Sequence, residues 1–395
     1  MPLASRDYCH EWSLPDGRIA VMRPAMPADV PELRALYYNT YGDRYTLPEV
    51  MEDRKTEAVL TGPGGEWLLT ECEGSIVASL LYGLEPGHRL GKTFGGVVMP
   101  ALRGQKVMKV MLRESLDLLL GEEGPFDLVY AVVRTFVSLS FHRDLADLGF
   151  VDVGVFPNVR KVQQYETHGF KVCLSPGALE SRRRGPQLIP QIFTLYQIVR
   201  KKLGLEPARV DPRLSLRPVQ AQPRVRLEER RATEERIDFL QRTTRNLQFG
   251  FFPLHEPNLV LSDPGHAVRV FLFTQPKDGH ASILGLTRGD YDTHIVLASV
   301  ADYCEAMGAA YLELLVPAFD PELQAQAYRA GFLPCAYFPA AFLDRQGKRH
   351  DVVVTSKTFV PLHFSGLKLS EETKPFLLEY FKLYTARLWE ELMDA

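Results

Sequence analysis

Residues 97–109 read VVMPALRGQKVMK, and this stretch decides the interpretation of the fold. An apolar strand ends at Pro100, a basic turn follows over 103–106, and an amphipathic helix begins at about Val107. A turn that opens a helix presents unpaired backbone N–H groups and the positive end of the helix dipole. Together with the cations of Arg103 and Lys106, these groups predict a binding site for a pyrophosphate.

Strands and helices alternate on both sides of this turn. Hydrophobic periodicity and turn residues predict β-α-β-β-β-α-β-α-β, with strands at 18–23, 66–71, 75–84, 92–99 and 127–133 and helices from 29, over 107–120 and over 138–148. Glu73-Gly74 predicts an antiparallel hairpin, and Gly149 is a typical helix end. This order predicts an α/β (α+β) fold, a mixed sheet with flanking helices.

A second copy of the pattern follows. It has a hairpin over 267–286, helices at 294–307 and 322–330, and a strand at 311–316. Gly149-Phe150 and Phe156-Pro157 recur as Gly331-Phe332 and Phe338-Pro339, and both pairs are 182 residues apart. We therefore predict two related units: residues 1–202 with a helical extension, a Pro- and Arg-rich linker over 203–224, and residues 225–395 with a terminal amphipathic helix.

Composition gives a general setting. The chain has 395 residues, a formal charge of -3 and five scattered cysteines, which predict reduced thiols. No apolar run of membrane-spanning length and no signal peptide are visible, so we expect a cytoplasmic protein.

The adjacent His350 and Asp351 lack partners at metal-ligand spacing and predict a solvated loop. The run Arg182–Arg184 and the linker leave a nucleic-acid contact as an alternative, although no aromatic stacking motif accompanies them.

From Arg18 to about Pro157 the sequence resembles the GNAT superfamily of N-acetyltransferases. The resemblance lies in the order of elements, in the V-V-x-P-x-x-R-G approach to the helix, and in Leu148-Gly149-Phe150. In that family a loop Arg/Gln-x-x-Gly-x-Gly/Ala holds the CoA pyrophosphate, and the preceding strand pairs with the pantetheine arm. By position, the resemblance implies CoA contacts from Val97, Val98, Met99, Arg103, Gly104, Gln105, Lys106, Val107, Met108 and Ser138.

The sequence also departs from the family pattern. Lys106 and Met108 occupy the positions of the two glycines, and Leu145 that of a Tyr that often acts as general acid. Tyr130 on the predicted strand and His142 on the following helix are the nearest candidates for proton transfer. In the second unit Arg288-Gly289 is followed by Asp290 and Asp292, whose charges would repel a pyrophosphate. This unit therefore resembles a degenerate copy without a CoA site.

The resemblance implies an enzyme that uses acetyl-CoA or another acyl-CoA as co-substrate and transfers the acyl group to an amine. The departures keep a second hypothesis open, a non-catalytic acyl-CoA-binding or interaction protein that retains the fold. The terminal helix, about Glu371 to Met393, predicts core packing or, as the minority interpretation, the interface of a homodimer.

Overall fold

The structure is a computed structural model that describes residues 7–394 except 43, 44, 46, 136–138, 162, 163, 215–221, 231, 232, 234, 235, 238–254 and 365. Ser138 lies outside the described residues. The strands of the first half are β1 (His10–Ser13), β2 (Ile19–Pro24), β3 (Gly65–Cys72), β4 (Ser75–Glu85), β5 (Leu90–Val98), β6 (Leu128–Arg134), β7 (Val151–Lys161), β8 (Tyr165–Leu174), β9 (Gln187–Leu188) and β10 (Arg209–Val210). Its helices are α1 (Val30–Tyr41), α2 (Pro48–Met51), α3 (Asp53–Thr61), α4 (Val107–Leu120), α5 (Leu139–Asp147), α6 (Pro176–Glu180) and α7 (Pro190–Leu203).

The second half contains a further set of elements. Its strands are β11 (Glu228–Arg230), β12 (Leu259–Ser262), β13 (Val268–Gln275), β14 (His280–Arg288), β15 (Tyr311–Pro317), β16 (Leu333–Leu343) and β17 (Arg349–Thr358). Its helices are α8 (Thr293–Ala306), α9 (Pro321–Arg329) and α10 (Lys374–Asp394). Among the described residues no helix is long and apolar enough to cross a membrane.

One mixed sheet joins both halves. Within the described residues it has fifteen strands, in the order β1-β2-β3-β4-β5-β6-β8-β7-β16-β17-β15-β14-β13-β12-β11. Helix α4 packs on one face through Met111 and Leu112, and α1 packs on the other through Leu33 and Leu36. A third core spans both halves beneath α7 and α10. The predicted α/β fold class, a mixed sheet with flanking helices, is confirmed.

The halves have the same series of strand pairings. In the first, β4 pairs antiparallel with β5, β5 parallel with β6, and β6 antiparallel with β8, which pairs antiparallel with β7. Strands β13, β14, β15, β17 and β16 repeat these directions in turn. Gly149 and Gly331 have φ angles of 86° and 88°, and Asn158 and Ala340 have φ angles of 56° and 53°. The second pair is again 182 residues apart, the offset found in the sequence.

The halves meet at the strands β7 and β16, where Gly154 pairs with Ala336. A Cβ atom on Gly154 would lie 2.1 Å from the Cβ atom of Ala336 and 2.7 Å from the carbonyl oxygen of Cys335. Only glycine permits so close an approach of two backbones. The continuity of the sheet therefore depends on this residue.

Two buried arginines form ion pairs near this junction. Arg182 binds Asp351, with 2.7 Å between Nε and Oδ1, and also Glu206, with 2.8 Å between Nη1 and Oε1. Arg349, which is completely buried, binds Asp127 at 2.9 Å. Arg182 is thus a structural residue, and the solvated loop predicted around Asp351 is wrong because this carboxylate is buried in β17.

Two details add to the predicted domain organisation, which stays a prediction. The last part of the predicted first unit, residues 160–202, contributes a strand as well as helices, because β8 is inserted into the sheet between β6 and β7. The predicted linker is not extended throughout: β10 pairs parallel with β9, and Leu214 is buried in the shared core. Polar residues such as Glu166, His168 and Lys171 concealed β8, because a strand is usually predicted from an apolar run.

Candidate functional site

Strands β5 and β6 separate partway along their length. They pair only from Leu90 with Leu128 to Thr93 with Ala131. Beyond that point, residues 94–98 continue to pair with β4, and 132–134 continue to pair with β8. The two strands therefore form the sides of a wedge-shaped opening, which we call the aperture. Polar backbone groups along its edges are available to a ligand lying between the strands.

A β-bulge shapes the β5 side of the aperture. The register shifts between Ser79 and Leu81 of β4, and Gly95 has a φ of 62°. A Cβ atom there would lie 2.7 Å from Cδ1 of Leu81 and would displace that side chain, and the positive φ also favours glycine. Tyr37 donates a hydrogen bond to the carbonyl of Gly95 at 2.5 Å, and Tyr41 donates one to that of Gly96 at 3.2 Å. Helix α1 therefore fixes the bulge in position.

The basic turn lies at the open end of the aperture, between β5 and α4. Arg103 is exposed and has no carboxylate partner among the residues that the structure describes. The first helical hydrogen bond of α4 runs from the Val110 N–H to the Lys106 carbonyl at 3.1 Å. The N–H groups that precede it in the first turn have no partner within the helix. The turn thus combines a free guanidinium group, unpaired N–H groups and a helix N-terminus, which suits an anion.

Lys106 and Met108 stand where the resemblance implies glycine, and the backbone of Lys106 would suit glycine. Lys106 has φ 64° and ψ 10°, a left-handed conformation that glycine adopts without strain. Its ammonium group lies 3.4 Å from Asp144 on α5 rather than over the turn. The Cε and Sδ atoms of Met108 lie 3.3 and 3.5 Å from the position of a Cβ atom on Gly96. A flexible side chain therefore covers β5 beside the aperture.

The remaining predicted CoA residues surround the turn. Val97 and Val107 are buried and support the strand and the helix, whereas Val98, Met99 and Gln105 are half-buried. Gly104 is exposed with a φ of 86°. The structure thus brings the nine described residues of the predicted set together at one end of the aperture.

Lys92 lies on β5 at the closed end of the aperture and was missed in the sequence. It pairs with Tyr130 of β6, and its Nζ atom lies 5.5 Å from the centre of the Phe94 ring, the next residue on that face. The pKa of Lys92 is lowered to about 7, chiefly by burial and also by Arg160, against the opposing effect of the carboxylates Glu49 and Glu313. A lysine with such a pKa can accept a proton at neutral pH.

An ion pair with a histidine lines the other side of the aperture. Arg134, at the end of β6, donates two hydrogen bonds to Glu166, at 2.8 and 2.7 Å. Burial alone would raise the pKa of Glu166, but the contacts from His168 and Arg134 outweigh burial and lower this pKa to about 2. Burial lowers the pKa of His168, whose Nε2 atom lies 3.5 Å from Glu166. The sequence offered a weak signal here, the charged residues within β8.

The two predicted proton-transfer residues, Tyr130 and His142, stay predictions, and both are buried. Tyr130 is fully buried, with its ring 5.9 Å from that of Phe170 and 5.6 Å from that of Phe338, which is the setting of a core aromatic residue. His142 lies on the buried face of α5, near Lys171. Burial lowers the pKa of His142, and the Lys171 ammonium group lowers it further. Lys171 pairs with Ala131 and Lys92 pairs with the preceding residue, Tyr130, so Lys171 and the nearby His142 lie on the face of the sheet opposite Lys92.

In the second half two strands also separate partway along their length, but no basic turn follows them. Strands β14 and β15 pair only from His280 with Tyr311 to Ile283 with Leu314. Helix α8 begins after Asp292, whose backbone N–H donates to the side chain of Gln222 at 2.9 Å. An acidic residue and a glutamine therefore occupy the end of the helix that would face an anion. Within the described ranges, no group of three His, Cys, Asp or Glu residues is placed to hold a metal ion.

Comparisons with known proteins find only distant structural neighbours. No family model and no curated protein match the sequence. A ribosomal-protein-S5-alanine acetyltransferase from Vibrio fischeri is similar at 14% identity over 43% of this chain and 98% of its own, with a TM-score of 0.37. A GNAT-family acetyltransferase from Streptococcus pneumoniae is similar at 17% identity over 40% of this chain and 99% of its own, with a TM-score of 0.34. A spermidine N-acetyltransferase from Vibrio cholerae, in complex with CoA and spermine, is similar at 12% identity over 40% of this chain and 95% of its own, with a TM-score of 0.33.

Proposed function

We propose that the protein is an N-acyltransferase that moves an acetyl or other acyl group from acyl-CoA to an amine. The observation that carries this proposal is the aperture between β5 and β6, which opens toward the basic turn before α4. A pantetheine arm would lie along Val97–Met99, and the pyrophosphate would meet Arg103 and the N–H groups of α4. Only the first half would bind CoA, because Asp290 and Asp292 replace the basic turn in the second.

Lys92 is the proposed proton acceptor in place of Tyr130 and His142. In its neutral form it takes a proton from the ammonium group of the acceptor, and the free amine attacks the thioester carbonyl. The C–N bond forms, the nitrogen releases one of its two protons to water, the C–S bond breaks, and the thiolate leaves. Protonated Lys92 then returns its proton to the thiolate, a downhill transfer because a thiol has a pKa of about 8.5.

The first prediction tests the CoA site. Charge-assisted hydrogen bonds contribute about 1.5 to 3 kcal/mol each, so Arg103→Glu should weaken CoA binding at least roughly tenfold in calorimetry on the full chain. Arg113→Glu is the matched control, since it makes the same change on an exposed face of α4 away from the turn. We expect one CoA per chain and no effect of Arg288→Glu. Two sites, or equal affinity in Arg103→Glu and Arg113→Glu, would overturn the site.

A non-catalytic acyl-CoA-binding protein is the second candidate. The contact of Met108 with Gly96 favours it, because the thioether group occupies space beside the aperture. Turnover of acetyl-CoA with a panel of amines separates the two candidates. If the wild-type chain binds CoA but releases no thiol with any amine, whereas Met108→Ala only tightens binding, the non-catalytic function holds.

A further inference from the structure

Helix α10 has two opposite apolar faces. The inner face carries Phe376, Tyr380 and Leu383, which are buried in the core shared with α7 and β16. A helix that packs on a core through one face is expected to be polar on the other. The outward face of α10 departs from this rule and therefore requires an explanation.

The outward face carries a continuous apolar stripe. Its members are Leu378 (70% exposed), Phe381 (46%), Thr385, Trp389 (68%) and Leu392 (68%). At about 100° per residue these positions fall within an arc of roughly 80°, opposite Tyr380. With their neighbours Leu388 and Met393 they expose roughly 700 Å², which exceeds the usual apolar patches of a monomer. The stripe therefore marks an interaction surface.

The spacing of the stripe indicates which partner fits it. The steps between its members are 3, 4, 4 and 3 residues, so the series Leu-Phe-Thr-Trp-Leu is symmetric about Thr385. In an antiparallel pair of identical helices that cross at Thr385, Leu378 of one copy meets Leu392 of the other, and Phe381 meets Trp389. The small threonine at the centre lets the two helices approach closely. A two-fold interface uses the same surface of both copies, and the symmetric spacing lets each apolar member of the stripe meet another apolar member.

We propose that α10 is the interface of a homodimer, in which two copies of the chain pair this helix antiparallel across a two-fold axis at Thr385. The area available per copy is close to the about 800 Å² that each partner contributes to a standard interface. Lys382 of one copy then lies beside Trp389 of the other, where a cation–π contact adds to the packing. This inference does not depend on the proposed transferase activity.

A membrane surface suits the stripe less well than a second copy. Helices that lie on membranes carry many Lys and Arg residues on their polar face. Residues 371–394 contain three basic and six acidic side chains. The acidic excess would repel anionic lipids, whereas a second copy buries the stripe without that cost.

Sedimentation or light scattering on the full chain tests the proposal. The wild type should have a mass of twice 44.7 kDa, about 89 kDa, at micromolar concentration. Trp389→Glu and Phe381→Glu should each shift it to the monomer mass. Met307→Glu is the control, because this exposed apolar residue lies outside the stripe at the end of α8. A monomeric wild type, or a dimer that persists in Trp389→Glu, would overturn the proposal.

Cross-linking determines the direction of the pair. In a Cys9→Ser background, which removes the exposed native thiol, Leu378→Cys and Leu392→Cys chains are prepared separately and mixed under oxidising conditions. An antiparallel pair gives a disulfide between the two different variants, and a parallel pair links each variant to itself. Binding of the chain to vesicles of phosphatidylcholine and phosphatidylglycerol is the remaining measurement. Binding to them by a monomeric wild type, abolished in Trp389→Glu, would replace the homodimer with a lipid surface.

Discussion

The rate of the proposed reaction should depend on the protonation state of Lys92. Because burial lowers its pKa to about 7, its neutral fraction increases as the pH rises through that value. We therefore expect kcat/KM for acyl transfer to rise with pH and to show an inflection near pH 7.

Variants of Lys92 test this origin of the inflection. Lys92→Gln should lower kcat and remove the inflection, and Lys92→Arg should do the same because its charge persists. Lys201→Gln, on the exposed face of α7, should retain the wild-type profile. An unchanged inflection in Lys92→Gln would assign it to the amine substrate.

The conformation of Lys106 predicts a difference in stability. A left-handed backbone costs a residue with a Cβ atom about 1 kcal/mol, so Lys106→Gly should have a free energy of unfolding about 1 kcal/mol above that of Lys106→Ala. Both variants lose the exposed contact with Asp144, which contributes little. Urea unfolding measures the difference, and equal midpoints would show that the turn relaxes around the side chain.

The site illustrates what single residues reveal in a sequence. Arg103 and Gly104 marked the turn, because cations and glycine before a helix have a local physical meaning. The contact of Met108 with Gly96 and the low pKa of Lys92 depend on residues distant in the chain. No local pattern predicts them.

At the scale of elements, Gly154 is the residue on which the junction of β7 and β16 depends. Gly154→Ala would place a Cβ atom 2.1 Å from that of Ala336, so the strands must separate, and we expect a loss of about 3 kcal/mol in the free energy of unfolding. Gly169→Ala on β8 is the control, because its Cβ atom would lie 3.5 Å from Thr373, an ordinary contact. Similar denaturation midpoints for the two variants would contradict this account.

Elements with a clear period were predicted well. The helix predicted over 107–120 agrees with α4, and the hairpin around Glu73-Gly74 agrees with β3 and β4. Strands β8 and β17 were missed because their buried faces carry charges, among them Lys171 and Asp351, that ion pairs satisfy. Such residues look like loop residues until the partner is known.

At the scale of the whole molecule, the sequence predicted two similar halves but not how they join. The offset of 182 residues is visible in the chain, whereas the pairing of β7 with β16 is a contact between distant segments. Similarly, the basic run from Arg182 suggested a nucleic-acid contact, and only the fold shows that Arg182 binds Asp351 and Glu206. The tandem arrangement of two acyltransferase units stays a prediction.

The junction has a consequence for how the chain can evolve. Gly154 and Ala336 occupy corresponding places in the two halves, and contacts between corresponding residues are those of a symmetric dimer. In this chain the two halves that meet in this way belong to one polypeptide. In a true dimer every mutation enters both subunits, whereas in this chain it enters one half alone. One half can therefore lose a basic turn and gain acidic residues while the other keeps its turn, and natural selection can act on each half separately.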